Sequence, residues 1–244
     1  MANCKTEEER RKTEELIRPI LRGRDIKRYG YEWADLYLIA TFPARHYNIN
    51  DYPAVNDYLL SFAEDNLRDA GYDWVADCYL ADFCKQKLSQ TGKFVEINGE
   101  RIILGNTPEK ARKKTSNKWF ETQDSISYWE EFSKPKIIYN DIAQTLSFAL
   151  SKDGEFLNNT AYFFGSYDIS LLSYLQAVLN SDLIDWYYRT ISVQLGEKAV
   201  RMFSIYVLKI PIPKNIVKIE NEDAVYKMYG LTVQEVNFLK TRGH

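Results

Sequence analysis

The sequence is poor in the residues that most metal and redox sites use, since its 244 residues include three cysteines and two histidines. Cys4, Cys78 and Cys84 have no metal-ligand spacing and cannot all pair, which favours a reducing, cytoplasmic location. His46 and His244 give no basis for a zinc site or for a cysteine–histidine nucleophile pair. We therefore expect no metal ion in this chain.

Long apolar runs are also missing. No segment approaches the length of about 20 apolar residues that a membrane-spanning helix needs. The N-terminal residues mix acidic and basic side chains, which is not the pattern of a signal peptide. We expect a cytoplasmic protein that does not contact a membrane.

The motifs of a methyltransferase are absent as well. An adenine-specific enzyme needs an Asn/Asp-Pro-Pro-Tyr/Phe loop to hold the amino group of the flipped base, and this sequence contains no Pro-Pro pair. The methyl donor S-adenosylmethionine needs a glycine-rich turn after a strand, and the best candidate stretch, residues 163–167, contains Gly165 alone. We expect no catalytic activity from this chain alone and no cofactor bound to it.

Asp25 and Lys27 loosely match the spacing of a metal-dependent nuclease, with Glu14 or Glu15 upstream as a further acid. The segment before them is predicted to be a polar helix, whereas such a site needs a strand. Chance spacing is the simpler interpretation.

The charged residues are clustered although the net charge is only −2. Basic side chains are concentrated in residues 18–28 and 110–118, and acidic side chains in residues 64–82. Such a distribution can present a basic face to DNA and keep an acidic face in solvent. Ordinary solvated loops would give the same pattern, so the clusters alone do not decide between the two.

Hydrophobic spacing and turn residues predict the local structure. Residues 6–17 form a polar helix, Pro53 begins a helix that reaches residue 60 or 62, and residues 73–87 form a helix that buries Cys78. Asn98-Gly99 lies between two strand-like runs and predicts a structural hairpin with a type I′ turn.

The second half of the sequence predicts strands at 136–139 and 146–150, and a Lys-Asp-Gly turn at 152–154 that pairs the latter run with 161–164. An amphipathic helix follows, and Ser181 or Asp182 is suited to cap a second one. Residues 205–208 are predicted to be a strand, and residues 221–229 and 233–240 short helices. The expected fold class is α+β, a mostly antiparallel sheet of short strands with packed helices and a helical C-terminal tail.

Four stretches, taken in order, resemble a known family. They are residues 17–33, 118–143, 147–164 and 177–213, the last with an Asn-Ser helix break, a Tyr-Tyr-Arg run, a glycine-containing loop and a closing Ile-Pro-Ile-Pro. The set is similar to the TaqI-like C-terminal specificity domain of adenine-specific DNA methyltransferases and fused restriction-modification enzymes. The loop at 194–201 has fewer glycine and polar residues than its counterpart in type I specificity subunits.

The resemblance implies the DNA target-recognition domain of a type II, IIG-like restriction-modification enzyme. Its partners would be double-stranded DNA and a methyltransferase or nuclease domain of the same polypeptide, and S-adenosylmethionine would bind that catalytic domain. The resemblance implies a connector at residues 1–17, a target-recognition domain at 18–213 and a helical tail at 214–244.

Candidate DNA contacts follow from residue type and, for the loop at 194–201, from the resemblance. Arg22, Arg24, Lys27, Arg28, Arg112, Lys113, Lys114 and Lys118 are predicted to contact phosphates, with Trp119 beside them. Arg45, Asn117, Gln123 and Arg201 are predicted to read bases, and Gln194 and Lys198 lie in the loop that the resemblance places near DNA.

The acidic stretch at 64–82 leaves an alternative open. A DNA-mimicking or protein-binding adaptor would use that acidic surface and would have no DNA specificity of its own.

Overall fold

The computed structural model describes residues 3–75, 78–90, 94–104 and 116–242. The chain forms two compact units, the first made of Met1–Arg18 and Ile39–Ser127 and the second of Pro19–Leu38 and Tyr128–His244. The division into a connector, a recognition domain and a tail stays a prediction.

The helices and strands confirm the α+β class. The helices are α1 (Glu7–Leu16), α2 (Pro53–Asp69), α3 (Leu80–Gln90), α4 (Ile169–Leu179), α5 (Asp182–Ile191), α6 (Ser204–Val207), α7 (Glu222–Met228) and α8 (Val233–Arg242). The strands are β1 (Ile17–Leu21), β2 (Ile26–Lys27), β3 (Gly30–Tyr31), β4 (Tyr37–Ile39), β5 (Trp74–Val75), β6 (Cys78–Tyr79), β7 (Phe94–Ile97), β8 (Glu100–Ile103), β9 (Lys136–Asn140), β10 (Ile142–Ala143), β11 (Phe148–Ser151), β12 (Phe156–Leu157), β13 (Ala161–Gly165), β14 (Gln194–Leu195) and β15 (Ala199–Arg201). Among the described residues, none of these helices combines the length and the apolar character needed to cross a membrane.

In the first unit, the predicted polar helix is confirmed as α1, and Thr6 caps it. The Thr6 hydroxyl accepts a hydrogen bond from the Glu9 main-chain N–H at 3.1 Å, and three glutamates in the first turn favour the positive end of the helix dipole. The Glu9 carboxylate also accepts from the N–H of Ala54 at 3.0 Å, which satisfies a free donor at the start of α2. The polar helix therefore packs within this unit through Leu16 and through a side-chain contact to α2.

The hairpin at Asn98-Gly99 is confirmed. Both residues have positive φ, 51° and 83°, as a type I′ turn requires, and β7 and β8 pair in register on either side. Val95 and Ile102 face each other and are buried in a cluster with α2 and α3. The hairpin therefore has the structural role that was expected.

Two helix predictions in the first unit differ from the structure. The predicted helix at 73–87 is a short hairpin, β5 and β6, followed by α3 from Leu80. Tyr79 is 66% exposed, and the buried cysteine of this segment is Cys84, whereas the Cys78 side chain lies outside the described residues. The helical spacing spanned two elements by coincidence, because a short run of apolar residues fits either period. Helix α2 also runs on to Asp69, beyond its predicted end.

The second unit is built on a three-stranded antiparallel sheet in the order β11-β9-β13. The Lys-Asp-Gly turn was predicted to join two paired strands, and this was wrong. Strands β11 and β13 do not pair with each other, because both pair with β9, which lies between them. Phe148 and Ile137 of this sheet are fully buried with Leu172 and Val178 of α4. The core of the unit therefore lies between this sheet and α4.

A buried asparagine connects the sheet to the helices. The Asn180 side chain accepts from the Phe148 N–H at 2.9 Å and donates to the Phe148 carbonyl at 2.8 Å. Phe148 belongs to β11, an edge strand, so the amide satisfies the outward N–H of Phe148 and shares the Phe148 carbonyl with the Tyr29 N–H and the Gln176 side chain. Of the two predicted cap candidates, Ser181 is the one that caps α5, since its hydroxyl accepts from the Ile184 N–H at 3.3 Å.

One prediction near the C-terminal end of the resemblance was wrong, and one predicted loop is more regular than expected. Residues 205–208 are not a strand, because Ser204–Val207 form the short helix α6, in which Ile205 is 61% exposed. The loop at 194–201 is the hairpin β14–β15, with Gly196 at φ 66° in its turn, and β15 also pairs with β10. The predicted tail helices are confirmed as α7 and α8.

Substitution of Gly23 tests the close approach of two main-chain segments in the second unit. A Cβ at Gly23 would collide with the main-chain carbonyl of Thr160, and the Gly23 N–H donates to the Thr160 hydroxyl at 2.8 Å. We expect Gly23→Ala to lower the free energy of unfolding by about 1–3 kcal/mol, because neither backbone can give way without cost. Urea denaturation measures the change.

Gly30→Ala is the matched control, since a Cβ there meets no atom within 4 Å. Its effect should stay within about 1 kcal/mol. Equal losses in the two variants would contradict the close approach of Gly23 and Thr160.

Candidate nucleic-acid interface

Residues 22–28 hold the first group of predicted phosphate contacts, and Arg22 there has an internal partner. Its guanidinium binds the Asp25 carboxylate through Nε at 2.9 Å and a terminal nitrogen at 2.7 Å. Asp25 is only 5% exposed, and the Arg22 hydrogen bonds hold the pKa of its carboxyl below the ordinary value although burial opposes this. Arg22 therefore fixes the turn that presents the residues after it.

Arg24, Lys27 and Arg28 are exposed on the same segment. The Lys27 ammonium donates to the Arg24 carbonyl at 3.0 Å and lies 3.9 Å from the Glu32 carboxylate. The Arg28 guanidinium donates to the carbonyl of Asn180 and lies 3.4 Å from Asp182. The segment thus carries cations outward from a turn that the Arg22–Asp25 pair holds in place.

Arg28 borders a groove of about 980 Å³ in the second unit, which we call the α5 groove. Its described lining is Arg28, Gln144, Thr145, Leu146, Asn180, Asp182, Asp185, Trp186, Arg189, Thr190, Glu197, Lys198 and Leu239. Among the described residues that were predicted to contact DNA, Arg28 and Lys198 line this groove. This described lining comes from five parts of the chain, namely the turn after β2, the connection after β10, Asn180 together with α5, the turn of β14–β15, and α8.

Arg189 holds three of those elements together. On α5, its Nε donates to the Asp185 carboxylate at 2.6 Å, and its terminal nitrogens donate to the carbonyl of Lys198 at 3.0 Å and to the carbonyl of Gln144. One planar guanidinium therefore links α5, the hairpin β14–β15 and the connection after β10. A lysine could not make these three contacts in the same geometry.

The charges of the groove lining balance. It contains three cations and three carboxylates, namely Arg28, Arg189, Lys198, Asp182, Asp185 and Glu197. Four of these side chains form the pairs Arg28–Asp182 and Arg189–Asp185. Trp186 adds an indole that is 37% exposed and meets Phe238 edge-on at 6.3 Å. The arrangement offers hydrogen-bond donors and acceptors and an aromatic surface for binding.

The other predicted residues of the hairpin β14–β15 are tied to the protein itself. The Gln194 side chain donates to the Arg189 carbonyl at 2.7 Å. Arg201 lies 3.5 Å from the Asp141 carboxylate, with its guanidinium 5.7 Å from the centre of the Phe203 ring. Of the hairpin residues predicted to contact DNA, Lys198 alone belongs to the described groove lining.

The remaining predicted contacts belong to the first unit. Asn117 donates to the carbonyls of Thr122 and Gln123, both at 2.8 Å, which closes a turn. Lys118 donates to the Tyr47 carbonyl at 3.2 Å, and Trp119 packs against two apolar clusters of this unit.

Arg45 and Gln123 complete this group, and both are exposed. The Arg45 Nε donates to the Tyr47 hydroxyl at 3.1 Å. Arg112, Lys113 and Lys114 lie outside the described residues. The DNA-contacting role of each of these residues stays a prediction.

The structure also places the residues of the two alternative interpretations. Both Asp25 oxygens accept hydrogen bonds from Arg22, and the Lys27 ammonium donates to the Arg24 carbonyl. These contacts do not bring the two side chains together as the ligands and base of a metal site. In the acidic stretch, Arg68 pairs with Glu64 at 2.9 Å and with Asp65 at 3.2 Å. Part of that acidic charge is therefore neutralised within α2.

Gln144, Trp186 and Arg189 line the groove and were not predicted. The spacing of Asp185 and Arg189, four residues apart on a predicted helix, was a readable signal for an ion pair. Gln144 had no such signal, because its place in the groove depends on the pairing of β10 with β15.

In the comparison with family models, the chain matches the TaqI-like C-terminal specificity domain over residues 18–212. No curated protein matches the chain. The match covers most of the 244 residues and includes both the segment 22–28 and most of the α5 groove. The chain belongs to the family of TaqI-like C-terminal specificity domains, which are DNA-recognition domains of restriction-modification enzymes.

Proposed function

We propose that the chain is the target-recognition domain of a type IIG-like restriction-modification enzyme that modifies adenine. The family match over residues 18–212 is the observation that supports this most strongly. The sequence motifs that resemble the adenine-specific members support the finer assignment. The missing Pro-Pro loop and glycine-rich turn fit a division of labour in which a separate domain performs the chemistry.

In this proposal the domain sets register and sequence choice. Exposed cations such as Arg24 and Lys27 would contact phosphates, and polar side chains would read base edges in the major groove. Binding would hold the target adenine at the mouth of a methyltransferase domain of the same polypeptide. That domain would flip the base and bind S-adenosylmethionine.

The first prediction from the proposed function concerns DNA binding by the isolated chain. Selection from a random duplex pool at low salt should enrich one short sequence, and the affinity for it should fall steeply as salt rises, because phosphate contacts release counterions. Binding should be weak, since the proposed methyltransferase domain, which would also hold the DNA, is not part of this assay. Sequencing of the retained pool and titrations at several salt concentrations measure both effects.

A pool that shows no salt-sensitive retention, together with capture of a protein partner through residues 64–82, would support the adaptor alternative instead. Magnesium-dependent cleavage of the pool that Lys27→Ala abolishes would support the nuclease alternative.

The second prediction concerns the catalytic partner. We expect the natural reading frame, or a neighbouring frame, to encode an Asn-Pro-Pro-Tyr-type loop, because the domain proposed here does no chemistry itself. Methylation of the selected duplex by the complete enzyme, followed by mapping of the modified base, tests adenine specificity. Absence of such a loop from every nearby frame would refute the assignment to an adenine methyltransferase.

The third prediction separates phosphate contacts from structural cations. Arg24→Ala should weaken binding to all duplexes by a similar factor and reduce the salt slope by about 1, with little change in stability. Arg22→Ala should instead destabilise the fold, because it leaves the buried Asp25 carboxylate without its partner.

Lys218→Ala is the matched control, since that side chain is 87% exposed and lies in the same unit beyond the family match. If the DNA affinity of Arg24→Ala depends on salt concentration as steeply as that of the control, Arg24 does not contact a phosphate.

A further inference from the structure

We infer that the α5 groove reads base edges and that Gln144 is a specificity-determining residue that contacts an adenine. The inference rests on the proposed function, since it assigns a recognition site within a DNA-reading domain. It rests on two observations. Some polar side chains of the groove have no partner among the described residues, and one of these side chains has a main chain that hydrogen bonds and burial hold in place.

The balance of charge argues for bases over phosphates. A phosphate-binding surface needs an excess of cations, whereas the described lining of the groove has three cations and three carboxylates. Base edges present donors and acceptors together, and they are read by amides, cations and carboxylates alike. A neutral groove rich in polar side chains suits that task.

Most polar side chains of the groove already have partners in the protein. Arg28, Asp182, Asp185 and Arg189 are joined in ion pairs, and Asn180 binds Phe148. In contrast, the exposed Thr145 hydroxyl has no such partner among the described residues. The longer side chains of Gln144, Glu197 and Lys198 are also exposed and make no hydrogen bond or ion pair with any described residue. These three side chains can engage a ligand without breaking a contact.

Gln144 has the most firmly held backbone of the three. Ala143 before it is 1% exposed and pairs with Val200, and Leu146 after it donates its N–H to the Asp185 carboxylate at 2.9 Å. The Gln144 carbonyl itself accepts from Arg189. The main chain is therefore fixed on both sides, so that the glutamine side chain starts from a defined position, as base discrimination requires.

The chemistry of the side chain selects the base. A glutamine amide presents a donor and an acceptor in one plane, which matches the N7 acceptor and N6 donor of adenine in the major groove. Lys198 and Glu197 line the same groove from the turn of β14–β15 and are of the types that contact guanine and cytosine. We assign to Gln144 one A·T base pair of the recognised site.

The test is duplex selection with the full chain and two variants. Gln144→Ala should still enrich the site but lose the preference for A·T at one position by roughly tenfold. Gln144→Glu keeps the shape and removes the amide donor, so the preference at that position should move towards cytosine. Thermal unfolding midpoints should equal that of the unchanged protein, because the side chain is exposed.

Gln234→Ala is the control, an exposed glutamine in the same unit outside the groove lining, and it should leave every position unchanged. Enrichment of an unaltered site by both Gln144 variants would overturn the inference and leave the proposed function standing. A uniform loss over all sequences would also overturn it, since that is the signature of a phosphate contact. If the unchanged protein enriches no site, the proposed function fails and the inference with it.

Discussion

The hydrogen bonds between the Asn180 amide and the main chain of Phe148 support both the fold of the second unit and its groove. They complete the edge of β11 and fix the point at which α4 ends and α5 begins. Asn180 is 2% exposed, so loss of its amide would leave the Phe148 main-chain N–H buried without that acceptor, whereas the Phe148 carbonyl would still accept from the Tyr29 N–H and the Gln176 side chain. Its own carbonyl accepts from Arg28, and Ser181 caps the helix that carries the groove.

The α5 groove beside this junction contains two kinds of polar side chain, those bound to other parts of the protein and those that bind no other described residue. Arg28 and Arg189 are charged but engaged, and they position main chain and carboxylates. Gln144 and Lys198 are held by their main chains and keep their side chains unbound. A recognition surface needs both kinds, because a side chain that reads a base must stand on a scaffold that does not move.

Local rules predicted the elements whose stability is local. The polar helix α1, the Ser181 cap of α5 and the Asn98-Gly99 turn each depend on contacts within a few residues, and the structure confirms them. The predictions at 73–87 and 205–208 were wrong because short apolar runs fit both periodicities, and tertiary contacts decide between them. Gln144 could not be predicted for the same reason, since the β10–β15 pairing brings it to the groove.

The sequence by itself determined the family, through four ordered stretches, and the α+β class, through turn residues and spacing. It also determined that the methyltransferase motifs are missing, because such motifs are contiguous and can be searched for directly. Only the tertiary structure decided which charged residues are engaged and which polar side chains share a groove. Its lining extends from Arg28 to Leu239, and no local pattern encodes contacts over such separations because they exist only once the chain has folded.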